Sequence, residues 1–375
     1  MDQSPLIPSA LKYLTIVGIH PIIKDKLRYL RILIFLMCCY ASTKLLTTQV
    51  ILNVEVMAEA MIGFVGFYQM FAKYFMLLVD GKTYANLIKS TEAFWPLDIF
   101  GEECKNIVSN IHAQTAKGFK TMLILLFLTC FTFCIKPLVM IQTLSIPWHT
   151  ICDSNKSHTC FYLNYFMEVL GFIFMCVTIS GFDGLFFGFL TMAYCELEKI
   201  KYGINNLKDV KNGVNDQKAL MDRISMLVYQ HNLVIKFIKD INTVYSTLNM
   251  NQMSGSVASV CIGIYTIGTG RMAKSYSLAA NYCVYFMTLT LQIFTYCLAG
   301  EKISEQANSL AHAAFDYDWH LEHNNKFTKS LCMIIMMAQS KVELVAGLWI
   351  LDLNMFLKMM QAAFSLFTLM QSFQE

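Results

Sequence analysis

Few residues of this chain could do chemistry, and most of those sit inside apolar runs. His149, Cys152, His158 and Cys160 fall within residues 142–163. Histidine and cysteine at such spacing can bind zinc. A Cys152–Cys160 disulfide and a set of free thiols are the other readings. Lys73, Asp183, Asp352 and Lys358 are ionisable groups in otherwise apolar stretches. A charge there is costly in a low-dielectric surround, so it must face protein or water. Lys73 lies near the end of its run and is expected to snorkel outward. Asp352 and Lys358 are candidates for contact with a passing ion. No Gly-x-Ser-x-Gly, P-loop, His-Glu-x-x-His or dinucleotide fingerprint occurs. The chain is therefore not expected to be an enzyme, and no cofactor or metal is implied.

These few polar groups must be positioned by an apolar framework. Of the 375 residues, 56% are hydrophobic and only 15% charged; a soluble domain carries roughly 25% charged residues. Met and Phe are abundant, with 24 and 28 copies, and the six prolines form no linker. A mean hydropathy of +0.47 fits a polytopic helical membrane protein. Net charge is only +3, which argues against nucleic acid as a partner. The 13 cysteines lie mostly in apolar runs and act there as small hydrophobes.

A helix needs about 20 apolar residues to cross a bilayer. Seven runs qualify: 30–52, 56–79, 119–141, 165–193, 248–269, 276–299 and 344–372. None alternates with period two, so a barrel is excluded. The fold class is all-α, a polytopic membrane protein with seven transmembrane helices. The first run is too long for a signal-peptide core and is expected to act as an uncleaved anchor.

Lysine and arginine orient the spans. The N-terminal segment and the connections after the second, fourth and sixth spans carry five, five, eight and four of them, 22 of the 29. The N-terminus is thus expected in the cytoplasm and the C-terminus outside. Asn155, in the single Asn-x-Ser/Thr sequon, falls on the outer side, where glycosylation is possible. The same side is oxidising, which favours the Cys152–Cys160 disulfide. A G-protein-coupled receptor has the opposite orientation. The chain also lacks an Asp-Arg-Tyr triplet after its third span and an Asn-Pro-x-x-Tyr near its seventh.

Four segments result: 1–29, cytoplasmic; 30–299, the first six spans with long cytoplasmic helical extensions; 300–343, cytoplasmic anchor helices; and 344–375, the seventh helix with a short outer tail. Leu220, Ile224, Leu227, Val228, Leu233, Val234 and Phe237 form a helical stripe in the connection before the fifth span. The last stretch, 300–372, is expected in two pieces broken near Ser340. No internal repeat suggests an inverted-repeat transporter.

The C-terminal part carries a pattern in a fixed order. Gly300-Glu301 precedes Ser309, Ala313-Ala314-Phe315 and Trp319. Ala338-Gln339-Ser340-Lys341 and Leu344-Val345-Ala346-Gly347 follow, and the chain closes on Phe364-Ser365-Leu366-Phe367-Thr368-Leu369-Met370. Together with Asp183, Phe186, Phe187 and His231, this resembles the insect odorant receptor family, whose ending is similar to Ser-Tyr-Phe-Thr-Leu-Leu. Leu366 and Phe315 stand where that family has tyrosine, and His320 where it has an aromatic. Gustatory receptors, the alternative, end in Thr-Tyr-x5-Gln-Phe, which Ser365, Leu366, Ser372 and Phe373 match less well. A metabotropic seven-helix receptor or a transporter is the more distant alternative.

The resemblance implies an odorant-gated, non-selective cation channel of the sensory-neuron plasma membrane, a tetramer around its seventh helices. The 194–247 connection lacks a coreceptor's long insertion. The chain therefore looks like the ligand-tuned subunit, with a coreceptor, membrane lipid and a small volatile odorant as partners. A pocket for such a ligand is expected in the outer half of the bundle. The candidates are Met61, Phe64, Val65 and Tyr68; Phe131, Cys134 and Leu138; Leu170 and Phe174; and Tyr276, Tyr282 and Tyr285. Ordinary helix packing is the other reading of each. At the outer end of the seventh span, Leu369, Ser372 and Phe373 share one helix face. An apolar ring there can gate by dewetting, with Gln371 and Ser372 offering oxygens to a hydrated cation. Alternatively, Leu369 and Phe373 face lipid. For the intramembrane charges the resemblance implies structural pairing rather than proton transfer.

Overall fold

A computed structural model describes residues 4–23, 28–43, 54–139, 157–207, 216–268, 276–317, 319, 324–340 and 342–372. Helices account for nearly all of it: α1 (Leu6–Val17), α2 (Arg28–Thr43), α3 (Val54–Val79), α4 (Gly81–Ser90), α5 (Glu102–Val139), α6 (His158–Asn205), α7 (Asp216–Gly268), α8 (Tyr276–Phe315), α9 (Asn325–Gln339) and α10 (Leu353–Ser372). The apolar runs propagate well past bilayer length. At 1.5 Å per residue, the 48 residues of α6 extend about 72 Å, more than twice a hydrocarbon core of about 30 Å. Among the described residues, Glu102–Leu138, His158–Asn205 and Asn281–Phe315 have the length and apolar content to cross a membrane; Gly63–Val79 and Leu353–Leu369 are shorter apolar helices.

The buried core runs along α6, whose residues 176–193 are all buried. α5, α7 and α8 surround it and α3 closes one side. α1 was not anticipated within 1–29. Its stripe Leu6, Ile7, Ala10, Leu14 and Val17 is buried, and it lies against α6 where three small residues recur. A Cβ on Gly181 or Gly188 would approach Leu14 Cδ2 or Ile7 Cγ1 to 2.7 Å, and one on Gly184 would meet Ala10 Cβ at 2.9 Å. Only glycine lets the two backbones approach this closely.

The last span also differs from expectation. Helix α9 ends at Gln339, but the next begins at Leu353 rather than near 344. Between them Val345–Ala346 (β1) pairs antiparallel with Trp349–Ile350 (β2), with Val345 opposite Ile350 and Ala346 opposite Trp349. Gly347, at φ +64°, makes the turn, which favours a residue without a Cβ. Asp352 then starts α10, accepting from the Met355 backbone N–H at 2.6 Å. This is helix capping, which sets Asp352 at the N-terminal end of α10.

Candidate functional site

α3, α5, α6 and α8 leave a gap where small residues meet. Gly63 and Gly66 remove volume from α3, and Met175 of α6 faces the opening, its Sδ 3.6 Å from where a Gly66 Cβ would stand. The resulting cavity measures about 70 Å³. Four aromatic rings, Phe67, Phe133, Phe172 and Tyr285, stand in its walls. Phe133 sits 5.8 Å from Phe172 and 6.0 Å edge-on to Tyr285, and Phe67 stands 6.2 Å from Phe172. One wall is polar: the hydroxyls of Thr129 and Thr288 lie 2.8 Å apart.

The floor is a hydrogen-bonded network. Gln292 donates Nε2–H to Asp183 Oδ2 at 2.8 Å and accepts from Gln252 at 3.0 Å. Gln69 donates to the Gln252 carbonyl at 3.2 Å. Asp183 Oδ1 accepts from Tyr296 at 2.8 Å and from the Lys73 ammonium at 2.6 Å. Lys73 is 2% exposed and Asp183 fully buried, so Lys73 does not snorkel; it turns inward as counter-ion. A buried carboxylate is tolerable only when paired and hydrogen-bonded, and Asp183 has three donors.

The sequence candidates distribute unevenly around this cavity. Tyr285 lines it. Val65 turns toward α7, 3.1 Å from where a Gly255 Cβ would stand. Phe174 packs on Tyr74 and Phe35 at 5.5 and 6.0 Å, Phe64 stacks on Tyr68 at 6.2 Å, Tyr282 is buried, and Leu170 is half-buried. Tyr68, Phe131 and Leu138 are 48%, 60% and 58% exposed on the outside of the single bundle. Phe131 and Cys134 border a shallow outward groove. Met61 and Tyr276 belong to α3 and α8, but their side chains lie outside the described residues. Cys160 is disulfide-bonded; Cys152 and Asn155 lie outside the described residues. At the far end of α10, Leu369 is exposed in the single chain. Gln371 and Ser372 belong to that helix, their side chains not described, and Phe373 lies outside. Lys358 is exposed on the same helix.

Gly66, Thr129, Met175, Thr288 and Gln292 were missed. Gln69, Gln252, Gln292 and the two threonines carried a usable signal, because uncharged polar residues in apolar spans mark interior faces.

An all-α, multi-pass membrane bundle with a small cavity between its helices over a buried ion pair defines the class. Residues 53–364 match the family model described as 7tm Odorant receptor. Odorant receptor 82a of Drosophila melanogaster is 26% identical over 65% of this chain and 60% of its own length. Odorant receptor 33b of the same organism is 28% identical over 36% of each. The chain thus spans about three-fifths or less of the length of these two curated relatives. The insect olfactory receptor OR5 from Machilis hrabei, solved in complex with eugenol, superposes with a TM-score of 0.84 at 16% identity, covering 98% of this chain and 97% of that one. A second structure of OR5 gives 0.79, covering 97% of each chain. The chain belongs to the insect odorant receptor family, which decides against the gustatory-type resemblance and against an enzyme.

Proposed function

We propose that this chain is the ligand-tuned subunit of an odorant-gated cation channel. A small volatile ligand enters the cavity beside Tyr285, and a pore lined by α10 opens in response. The single observation that carries this reading is the route from cavity to α10. Tyr285, Thr288 and Gln292 of α8 wall the cavity. Two turns further along the same helix, Gly300 lies against the Leu351 carbonyl, and Glu301 accepts from the Leu353 backbone N–H at 3.2 Å. One rigid helix therefore touches both the ligand space and the first residue of α10. A cavity of about 70 Å³ is smaller than the usual 300–1,000 Å³ ligand site. A ligand must widen it, and the unbranched Met175 is the wall best able to yield. Widening displaces α8, and its contacts carry the displacement to Leu351–Leu353.

In this reading the N-terminus is cytoplasmic, a coreceptor completes a tetramer, and Leu369, Gln371, Ser372 and Phe373 form the outer gate. Cys152 bridges Cys160 on the outer side, where Asn155 accepts glycan. The deciding experiment records current from cells expressing the chain with and without a coreceptor over an odorant panel. Odorant-evoked cation current that disappears in Gly66→Phe, whose ring fills the cavity, is expected. Current untouched by that ring refutes the site. An N-terminal epitope that stains intact cells refutes the orientation.

A further inference from the structure

Three of the four helices around the first cavity, α5, α6 and α8, border a second, larger cavity on the other side of the Asp183 layer. Along α6, residues 172–179 border the first and 187–194 the second; along α8, residues 285–292 and 295–303 divide likewise. The second measures about 370 Å³, within the usual size of a small-molecule site. Its deep walls are Phe119, Met122, Phe187 and Leu190, and its rim carries Gln114 and Tyr194.

Gly118 lines this cavity inside the long helix α5. Glycine within a helix costs about 1 kcal/mol relative to alanine. Elsewhere in the bundle the Gly181–Gly184–Gly188 stripe accommodates a packed neighbour, but a Cβ on Gly118 would meet nothing within 4 Å. Among the described residues no packing contact accounts for this glycine, and a large side chain at this position would project into the space.

The rim chemistry narrows the occupant. Lys302 is held by Glu305 at 2.6 Å, while the Glu198 carboxylate accepts only from the neutral Gln306 amide, so beside Tyr194 two carboxylates stand against one ammonium. The hydroxyls of Thr115, Thr191 and Thr295 donate to carbonyls of their own helices. The rim's excess of negative charge therefore disfavours an anionic lipid headgroup. We propose that this cavity binds an uncharged single-chain amphiphile, its apolar chain against Phe119, Met122, Phe187 and Leu190 and its hydroxyl at Gln114 and Tyr194. Occupancy there acts on the seventh span, because one stretch of α8 serves both. Leu298, Ala299, Lys302 and Ile303 line the cavity, while Gly300 and Glu301 between them hold Leu351 and Leu353. A long-chain alcohol and a membrane monoglyceride share this chemistry.

The test uses the full-length chain in membranes and a long-chain alcohol bearing a photoreactive diazirine, with adducts mapped by mass spectrometry. Adducts are expected within residues 111–122, 187–194 and 295–303. Gly118→Phe should lower them by roughly tenfold, whereas Gly118→Ala, which leaves the space and strengthens the helix, should retain them. Gly66→Phe, filling only the first cavity, should also retain them. Competition at lower concentration by unlabelled monoglyceride than by unlabelled alcohol names the membrane lipid as occupant; the reverse order names the free alcohol. The readout is covalent labelling, so it stands whether or not the chain conducts. Adducts confined to outward-facing residues, or equal behaviour of the Phe and Ala variants at position 118, would overturn the proposal.

Discussion

Removing the Lys73 ammonium should destabilise the bundle more than any surface change, and removing Asp183 with it should restore much of the loss. At 2.6 Å and an effective dielectric of 20, the pair attracts by about 6 kcal/mol. Desolvating two charges offsets most of this, so the net worth of the pair is small. Lys73→Met alone leaves Asp183 with only Gln292 and Tyr296 as donors, an uncompensated buried carboxylate. That loss is about 3–5 kcal/mol. Lys73→Met with Asp183→Asn removes the charge and keeps an acceptor for those donors, so the double variant should lie within about 2 kcal/mol of wild type. The assay is the fraction of monodisperse, detergent-solubilised protein surviving a temperature series, read by size-exclusion fluorescence. A single variant as robust as wild type, or a double variant no better than the single, would refute the pairing as the reason these charges are tolerated.

Three further outcomes follow from the same geometry. Tyr285→Ala removes a ring 6.0 Å from Phe133, and should raise the half-maximal odorant concentration by an amount equivalent to about 1–3 kcal/mol, differently for each ligand; unmoved midpoints across an agonist panel would place the ligand elsewhere. If Leu369 and Phe373 form the proposed gate, Leu369→Ser and Phe373→Ser should raise current without odorant, and cysteines at 369 or 373 should react faster with charged thiol reagents when odorant is present; odorant-independent labelling and unchanged resting current would assign these residues to lipid. His231 is buried, with neither ring nitrogen hydrogen-bonded among the described residues, and burial pushes it down to about 4 from 6.5. The unfolded chain then binds a proton first, so stability holds above about pH 6.5 and falls as pH drops toward 4, by on the order of 3 kcal/mol. His231→Leu should flatten that pH dependence in the same thermal assay, and an unaltered slope would show that other groups titrate.

The long helices, the membrane class and the C-terminal family pattern were legible in the sequence alone, because hydropathy over 20 residues and motif order are local properties of a chain. Local periodicity also held the stripe of α1, overlooked because a 12-residue helix is short for a span. The walls of the cavity were not legible. Adjacent residues of a helix differ by about 100° in direction, so Tyr68 turns outward while its neighbour Gln69 is buried against α7. Choosing between them requires knowing which helix lies opposite. Lys73 and Asp183 are 110 residues apart in the chain, and each taken alone is only a costly intramembrane charge. The hairpin at 345–350 is likewise tertiary: the Val345 backbone N–H binds Asn242 Oδ1 at 3.0 Å and that of Gly347 binds Ser246 Oγ at 2.9 Å, both on α7. Those bonds to another helix hold an apolar stretch out of the helical conformation that its composition favours, and so move the start of the seventh span to Leu353.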